Sequence, residues 1–119
     1  MWLTFVQLAL FVRDWYRLEL TDEDLQALEQ TISENPAAGA VMKGTGGLRK
    51  MRFAPPSWRR GKSGAARVCY VVYDVYETAY LVSLFTKNEQ ANLSDADKAA
   101  ARALLRRLEA GLQRRGGHQ

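Results

Sequence analysis

Basic side chains are concentrated in one segment of this 119-residue chain. Between residues 43 and 67 the sequence has eight Lys or Arg and no Asp or Glu, so this segment carries +8. Because the whole chain carries +4, the remainder sums to −4. A run of cations without interleaved carboxylates favours binding of an external anion such as phosphate, although clustered cations are also typical of an ordinary soluble surface. The basic residues are Lys43, Arg49, Lys50, Arg52, Arg59, Arg60, Lys62 and Arg67.

Strand geometry can bring several of these cations to one face. Residues 48–53 are predicted to form a strand, in which side chains alternate between the two faces of a sheet. Lys50 and Arg52 then share one face, while the apolar residues beside them face a core. Arg67, at the start of the next predicted strand, and Lys87, at the end of the last, can converge on the same side. The pattern predicts a cationic site supported by a sheet.

Other chemistries find little support in the sequence. Residues 61–63 read Gly-Lys-Ser, but a phosphate-binding P-loop needs a Gly where Pro56 stands. The only His, His118, lies at the end of the chain, and together with the single Cys69 it cannot form a zinc site or a hydrolase triad. We therefore expect neither a metal nor a cofactor. A lone Cys69 also favours a reducing compartment such as the cytoplasm.

Hydrophobic periodicity predicts one α+β domain over residues 1–113, with a frayed tail over 114–119. The apolar N-terminus is shorter than the about 20 residues of a membrane-spanning helix and has no basic leader, so we expect no membrane contact. The last two strands are predicted to form an antiparallel hairpin across 74–79. The order is β-α-α-β-β-β-α, with strands at 2–6, 48–53, 67–73 and 80–85, and helices at 8–18, from Thr21 to Asn35, and from Ser94 onward.

The motifs of this chain resemble a known family, in segments that together span most of its length. The stretches are 43–53, 61–68, 87–89 and 92–94, joined by Leu20-Thr21-Asp22-Glu23 and Glu34-Asn35-Pro36. Their order and spacing resemble the HigB branch of the RelE superfamily of toxins.

This resemblance implies a small twisted antiparallel sheet flanked by helices. It also implies a toxin of a type II toxin-antitoxin system, an endoribonuclease that cleaves mRNA in the ribosomal decoding site beside rRNA. A cognate helix-turn-helix antitoxin would inhibit it, and DNA would be contacted only indirectly, through the antitoxin complex.

Such cleavage uses the 2′-hydroxyl as the nucleophile on the neighbouring phosphate. The site must accept one proton, stabilise negative charge and donate another proton to the leaving oxygen. We expect Lys50 to be the general base, since the flanking cations Arg49 and Arg52 disfavour a further positive charge. Arg67 is expected to hold the phosphate bidentately, with help from Arg52, and Lys87 to be the general acid.

Further contacts to RNA or the ribosome are predicted for Lys43, Arg49, Trp58, Arg59, Arg60 and Lys62. Trp58 is expected to be exposed, where it can stack on a base, or to pack within its own loop. Arg49 shares strand parity with core residues and can instead pair with Glu19. Tyr70 and Tyr73 suit either the core or base stacking.

Two other function classes remain open from the sequence. One is a non-catalytic RNA- or ribosome-binding module on the same scaffold, and the other is a structural or DNA-associated partner within a complex. The absence of a predicted turn followed by a helix with a basic first turn argues against major-groove reading of DNA.

Overall fold

The computed structural model describes residues 2–58, 65–86, 89 and 93–116. In these residues five strands form one sheet and three α-helices flank it, which confirms the predicted α+β class. The elements are β1 (Thr4–Gln7), α1 (Ala9–Arg17), α2 (Asp22–Glu34), β2 (Ala40–Val41), β3 (Arg49–Phe53), β4 (Ala66–Tyr73), β5 (Thr78–Thr86) and α3 (Asp95–Gly116).

The spatial order of the strands is β1-β5-β4-β3-β2. The three longest strands, β3, β4 and β5, pair antiparallel, and a short 3₁₀ turn at Asp74–Tyr76 joins β4 to β5, within the predicted hairpin connection. Two features go beyond the predicted order. The two-residue strand β2 is added at one edge, and β1 pairs parallel to β5 at the other. Parallel neighbours need a long connection, and here most of the chain lies between the two strands.

Each face of the sheet carries its own hydrophobic layer. Helices α1 and α2 cover one face, where Phe11 and Leu28 pack with Met51 and Phe53 of β3. Helix α3 covers part of the other face, where Leu105 packs with residues of β4 and β5. The buried positions of β3 alternate with exposed ones, so the sequence-predicted division of this strand into an apolar and a cationic side is confirmed.

Helix starts agree with the capping signals in the sequence. Asp24 donates its amide to the Thr21 hydroxyl at 3.1 Å, and its carboxylate accepts the Thr21 amide at 2.9 Å, which forms a capping box. Ser94 and Asp97 make the same reciprocal pair at 3.0 Å in each direction. Helix α3 continues to Gly116, beyond the predicted domain end at 113, and residues 117–119 lie outside the described residues.

None of the helices in the described ranges combines the length and the hydropathy that a transmembrane span requires.

Candidate functional site

Three of the predicted catalytic residues lie together on the α3 side of the sheet. Arg52 of β3 is directly opposite Arg67 of β4, and Lys50 is directly opposite Cys69. Side chains of directly opposed residues project from the same face, and Cys69 belongs to the hydrophobic layer beneath α3. Lys50 and Arg52 are exposed and Arg67 is half-buried. The sheet therefore presents three cations side by side.

These cations lack acidic partners within the described part of the chain. Ion pairs there, with N–O distances up to 4.0 Å, involve only Arg13 and Arg17 as cations. Arg67 donates from Nη1 to the carbonyl oxygen of Ala65 at 3.0 Å, which leaves most of its donors available. Like charges that face each other across two strands are unfavourable in the absence of an anion. The pair of Arg52 and Arg67 is therefore suited to an external phosphate.

A groove of about 570 Å³ opens beside Lys50, between the sheet and the first turns of α3. Cys69 and Ser83 form part of its floor, and Ala101 of α3 lies on the opposite wall. Burial raises the pKa of the Cys69 thiol, against the opposing effects of a hydrogen bond with Ser83 and the positive charge of Lys50. The thiol is therefore protonated near neutral pH and is a poor nucleophile.

A network of hydrogen bonds around Gly39 packs against the backbone of Lys50 behind β3. The Gly39 amide donates to the Tyr70 hydroxyl at 2.9 Å, and that hydroxyl donates to the Pro36 carbonyl at 2.8 Å. Arg49 donates from Nη1 to the Gly39 carbonyl at 2.6 Å. A Cβ on Gly39 would lie 2.9 Å from the carbonyl carbon of Lys50, so only glycine allows this approach. The network joins the segment before β2 to β3 through Arg49 and to β4 through Tyr70.

The structure separates the two tyrosines and Arg49 from the cationic site. Tyr70 is fully buried, and Tyr73 donates its hydroxyl to the Leu105 carbonyl at 3.1 Å. Burial is the main cause that raises the pKa of Tyr73 to about 12. Both rings therefore belong to the core, as one of the two sequence interpretations holds. Arg49 is half-buried and its backbone contact replaces the suggested pairing, since no ion pair with Glu19 occurs among the described residues.

For Trp58 the structure favours the packing alternative over an exposed ring that stacks on a base. Its ring is half-buried and packs against the hydrophobic layer beneath α1 and α2. The reason is the anchoring of the neighbouring Ser57, whose amide and hydroxyl both donate to the Asp24 carboxylate, at 2.9 and 2.6 Å. This anchor brings the turn after β3 onto the start of α2, where a large apolar ring is covered.

The anchor on Ser57 depends on the ionisation of the Asp24 side chain. This side chain is fully buried. Burial by itself would raise the pKa of this carboxyl, but the hydrogen bonds from Ser57 and Thr21 lower it below its usual range. The carboxylate is therefore charged at neutral pH and joins α2 to the segment that follows β3.

The remaining predicted site residues have different positions. Lys43 is exposed and lies at the rim of the groove. Arg59, Arg60, Lys62 and Lys87 lie outside the described residues. Over the part of the chain that is described, no group of three or more His, Cys, Asp or Glu could hold a metal ion.

Sequence reasoning missed a cluster of two acids and one arginine at the edge of β5 that β1 leaves free, which we call the β5 clamp and define as Asp14, Arg17 and Glu89. Beyond the end of β1, the Leu84 amide donates to Asp14 at 3.4 Å and the Thr86 amide donates to Glu89 at 2.6 Å. Arg17 contacts both carboxylates. Its hydrogen bond is the main cause that lowers the pKa of Glu89. The available signal was an acid, Asp14, on the apolar stripe of α1.

Comparisons with known proteins agree with this architecture. A family model described as "RelE toxin of RelE / RelB toxin-antitoxin system" matches residues 6–114. Among solved structures, an arginine double mutant of the E. coli toxin RelE in the free state superimposes with a TM-score of 0.52. It shares 16% sequence identity, and the match covers 89% of this chain and 98% of that one. At that identity the likeness establishes the fold.

Proposed function

This chain belongs to the RelE toxin family, and we propose that it acts as an endoribonuclease on mRNA held in the decoding site of the ribosome. The observation that carries the proposal is the row of cations on the α3 side of the sheet, where Arg52 faces Arg67 beside Lys50 without a carboxylate partner among the described residues. Paired guanidinium groups bind phosphate bidentately and stabilise the charge that develops on it during cleavage.

The proposed reaction is an internal transfer of the phosphoryl group. The 2′-oxygen forms a bond to the adjacent phosphorus as its proton leaves, and the bond from phosphorus to the 5′-oxygen of the next nucleotide breaks. The products are a 2′,3′-cyclic phosphate and a 5′-hydroxyl. The reaction therefore balances with the RNA as its only reactant. Lys50 accepts the proton of the 2′-hydroxyl, and Lys87 donates a proton to the leaving oxygen.

Burial distinguishes the two arginines in this scheme. Arg67 is half-buried and tied by one donor to Ala65, so less side-chain freedom remains to be lost on binding. Arg52 is exposed and closes on the phosphate from the neighbouring strand. Arg67 therefore makes the primary phosphate contact and Arg52 shares the charge.

The proposal extends to partners and location. A toxin of this family implies an antitoxin, which we take to be a cognate helix-turn-helix protein, as the resemblance to the HigB branch implies. The cytoplasm is the proposed location, because translating ribosomes are there. Contacts to rRNA and mRNA are assigned to Lys43, Arg59, Arg60 and Lys62, and contact with DNA is only indirect, through the antitoxin complex.

Expression without antitoxin tests the proposal in cells. Wild-type protein should arrest growth and create new mRNA ends within translated reading frames. Lys50→Ala and Arg67→Ala should reduce the yield of these ends by about 10²-fold or more, the usual scale for losing a general base or a charge-stabilising donor. Arg107→Ala, which removes an exposed cation on α3, is the matched control and should cut normally. Growth arrest with unchanged mRNA ends would favour the non-catalytic ribosome-binding module instead.

A further inference from the structure

The groove beside Lys50 has the size of a ligand site and an apolar interior. Its volume of about 570 Å³ lies within the range of roughly 300–1,000 Å³ that is usual for small-molecule pockets. Leu48 and Phe85 line the sheet side and Ala101 lines the α3 side. Leu10, 52% exposed despite its size, lies at the same groove. Such an interior suits a flat, weakly polar ring.

The charges around this interior favour a polyanion. Lys43, Lys50 and Lys98 all line the groove, against a single acid, Asp97. That carboxylate already accepts the Ser94 amide at 3.0 Å in the cap of α3. An apolar protein side chain in the groove would leave three ammonium groups without a counter-charge, whereas a nucleotide brings both a ring and phosphates.

Along the strands, the groove also lies next to the arginines proposed as phosphate contacts. Lys50 lines the groove two residues from Arg52 on β3, roughly 7 Å at about 3.3 Å per residue, and Phe85, which also lines it, is the direct cross-strand neighbour of Arg67. A phosphate held by those arginines therefore leaves the adjoining nucleoside over the groove.

We propose that this groove binds one nucleobase of single-stranded RNA, the base next to the phosphate that is cleaved. The inference rests on the proposed function, since it takes Arg52 and Arg67 as the phosphate contacts. The base lies between the sheet residues and Ala101, and its polar edge meets the Ser83 hydroxyl, which can both donate and accept. Ser83 and the groove walls thereby set which nucleotide is preferred at that position.

Binding is tested without the ribosome. The four ribonucleoside 5′-monophosphates are titrated into the full-length protein, and the amide resonances of Ser83 and Ala101 are followed by NMR. Saturable shifts at these amides are expected, with different affinities for the four bases. Ala100→Met fills the groove from α3 and should weaken binding at least tenfold, whereas Ala99→Met, one residue along on the same helix and outside the groove, should change it less than twofold.

Cleavage-site mapping then tests the role in RNA recognition. Ser83→Ala removes the hydroxyl without filling the groove, and it should alter the base preference at one position beside the mapped ends. If wild-type protein cleaves mRNA but Ala100→Met and Ser83→Ala keep both its rate and its preference, the inference is overturned and the proposed function stands. If these variants cut normally but escape neutralisation by the antitoxin, the groove is a protein-docking site and the inference is also overturned. If the monophosphates bind as expected but wild-type protein cuts no mRNA, base binding is supported and the proposed cleavage fails.

Discussion

Neutralising one arginine of the facing pair should make the protein more stable while it weakens the proposed site. Arg52 and Arg67 are direct cross-strand partners, and no acid within the described residues pairs with either. In the free protein their charges repel each other, and only a bound phosphate would turn the pair into a favourable arrangement. Arg52→Gln keeps most of the aliphatic stem and removes the charge. We therefore expect it to raise the free energy of unfolding.

The size of the effect follows from the strand spacing. Directly opposed residues have Cα atoms about 5 Å apart, and roughly 7 Å is a reasonable separation for two exposed guanidinium groups. Coulomb repulsion at that distance in water is about 0.6 kcal/mol. Screening leaves about 0.5 kcal/mol at 10 mM salt and about half of that at 150 mM, because the Debye length falls from about 30 Å to about 8 Å.

Urea unfolding followed by tryptophan fluorescence measures this change. With a slope of about 1.5 kcal/mol per molar urea, a gain of 0.5 kcal/mol moves the midpoint upward by about 0.3 M at low salt. Arg107→Gln is the control for the loss of one positive charge, since it is exposed on α3 and has no acid three or four residues away. A lower midpoint for Arg52→Gln than for this control at 10 mM salt, or a difference that does not shrink with added salt, would refute the reasoning.

Three other perturbations test how the scaffold is held. Asp24→Ala should lower the free energy of unfolding by about 2–4 kcal/mol, since it removes a cap and leaves the part-buried donors of Thr21 and Ser57 without their acceptor. Asp22→Ala should lower it by less than about 1 kcal/mol. Because folding lowers the pKa of Asp24, its contribution is present at neutral pH, begins to fall below the ordinary Asp value of about 4 and is lost as the pH falls through the lower folded-state pKa, so unfolding at pH 3 should show a smaller difference from Asp24→Ala than unfolding at pH 7. Arg17→Gln should speed hydrogen exchange at the Thr86 amide several-fold. Tyr70→Phe should cost about 1–3 kcal/mol in urea unfolding, because it leaves the buried Gly39 amide without an acceptor.

Each of these has a contrary result. Equal effects of Asp24→Ala and Asp22→Ala would mean that the carboxylate anchor on Ser57 is not formed in solution. Unchanged exchange at Thr86 in Arg17→Gln would show that the β5 clamp does not hold the end of that strand. A loss below about 0.5 kcal/mol for Tyr70→Phe would mean that water replaces its hydroxyl.

Local patterns were the features that the sequence predicted well. The alternation that separates Lys50 and Arg52 from Met51 is a property of any half-buried strand, so it could be read without knowing the neighbours. The start of α2 at Thr21 depends on a capping interaction only three residues long. Both features are decided within a few residues, which is why they could be predicted from sequence alone.

Long-range contacts were the features that the sequence did not predict. The parallel pairing of β1 with β5 joins segments more than 70 residues apart, and no local pattern distinguishes it from an antiparallel edge. For Trp58 the sequence left an exposed, base-stacking ring and a packed ring as alternatives, and the Asp24 anchor, which brings its loop onto α2, decides for packing. Strand parity indicated the side of the sheet on which Arg49 lies, but not that its partner there is the distant Gly39 carbonyl instead of Glu19.

The direct test of the central claim is the chemistry of the RNA ends made by the purified protein. Ribosomes stalled on a defined mRNA, with the decoding site filled by a chosen codon, are incubated with wild-type protein, Lys50→Ala, Arg67→Ala and the control Arg107→Ala. The account predicts a 2′,3′-cyclic phosphate and a 5′-hydroxyl at one bond within that codon. The rate should fall by about 10²-fold or more in the first two variants and stay at the wild-type level in the control. A 5′-phosphate at the new end, or Lys50→Ala and Arg67→Ala that cut as fast as the wild type, would contradict it.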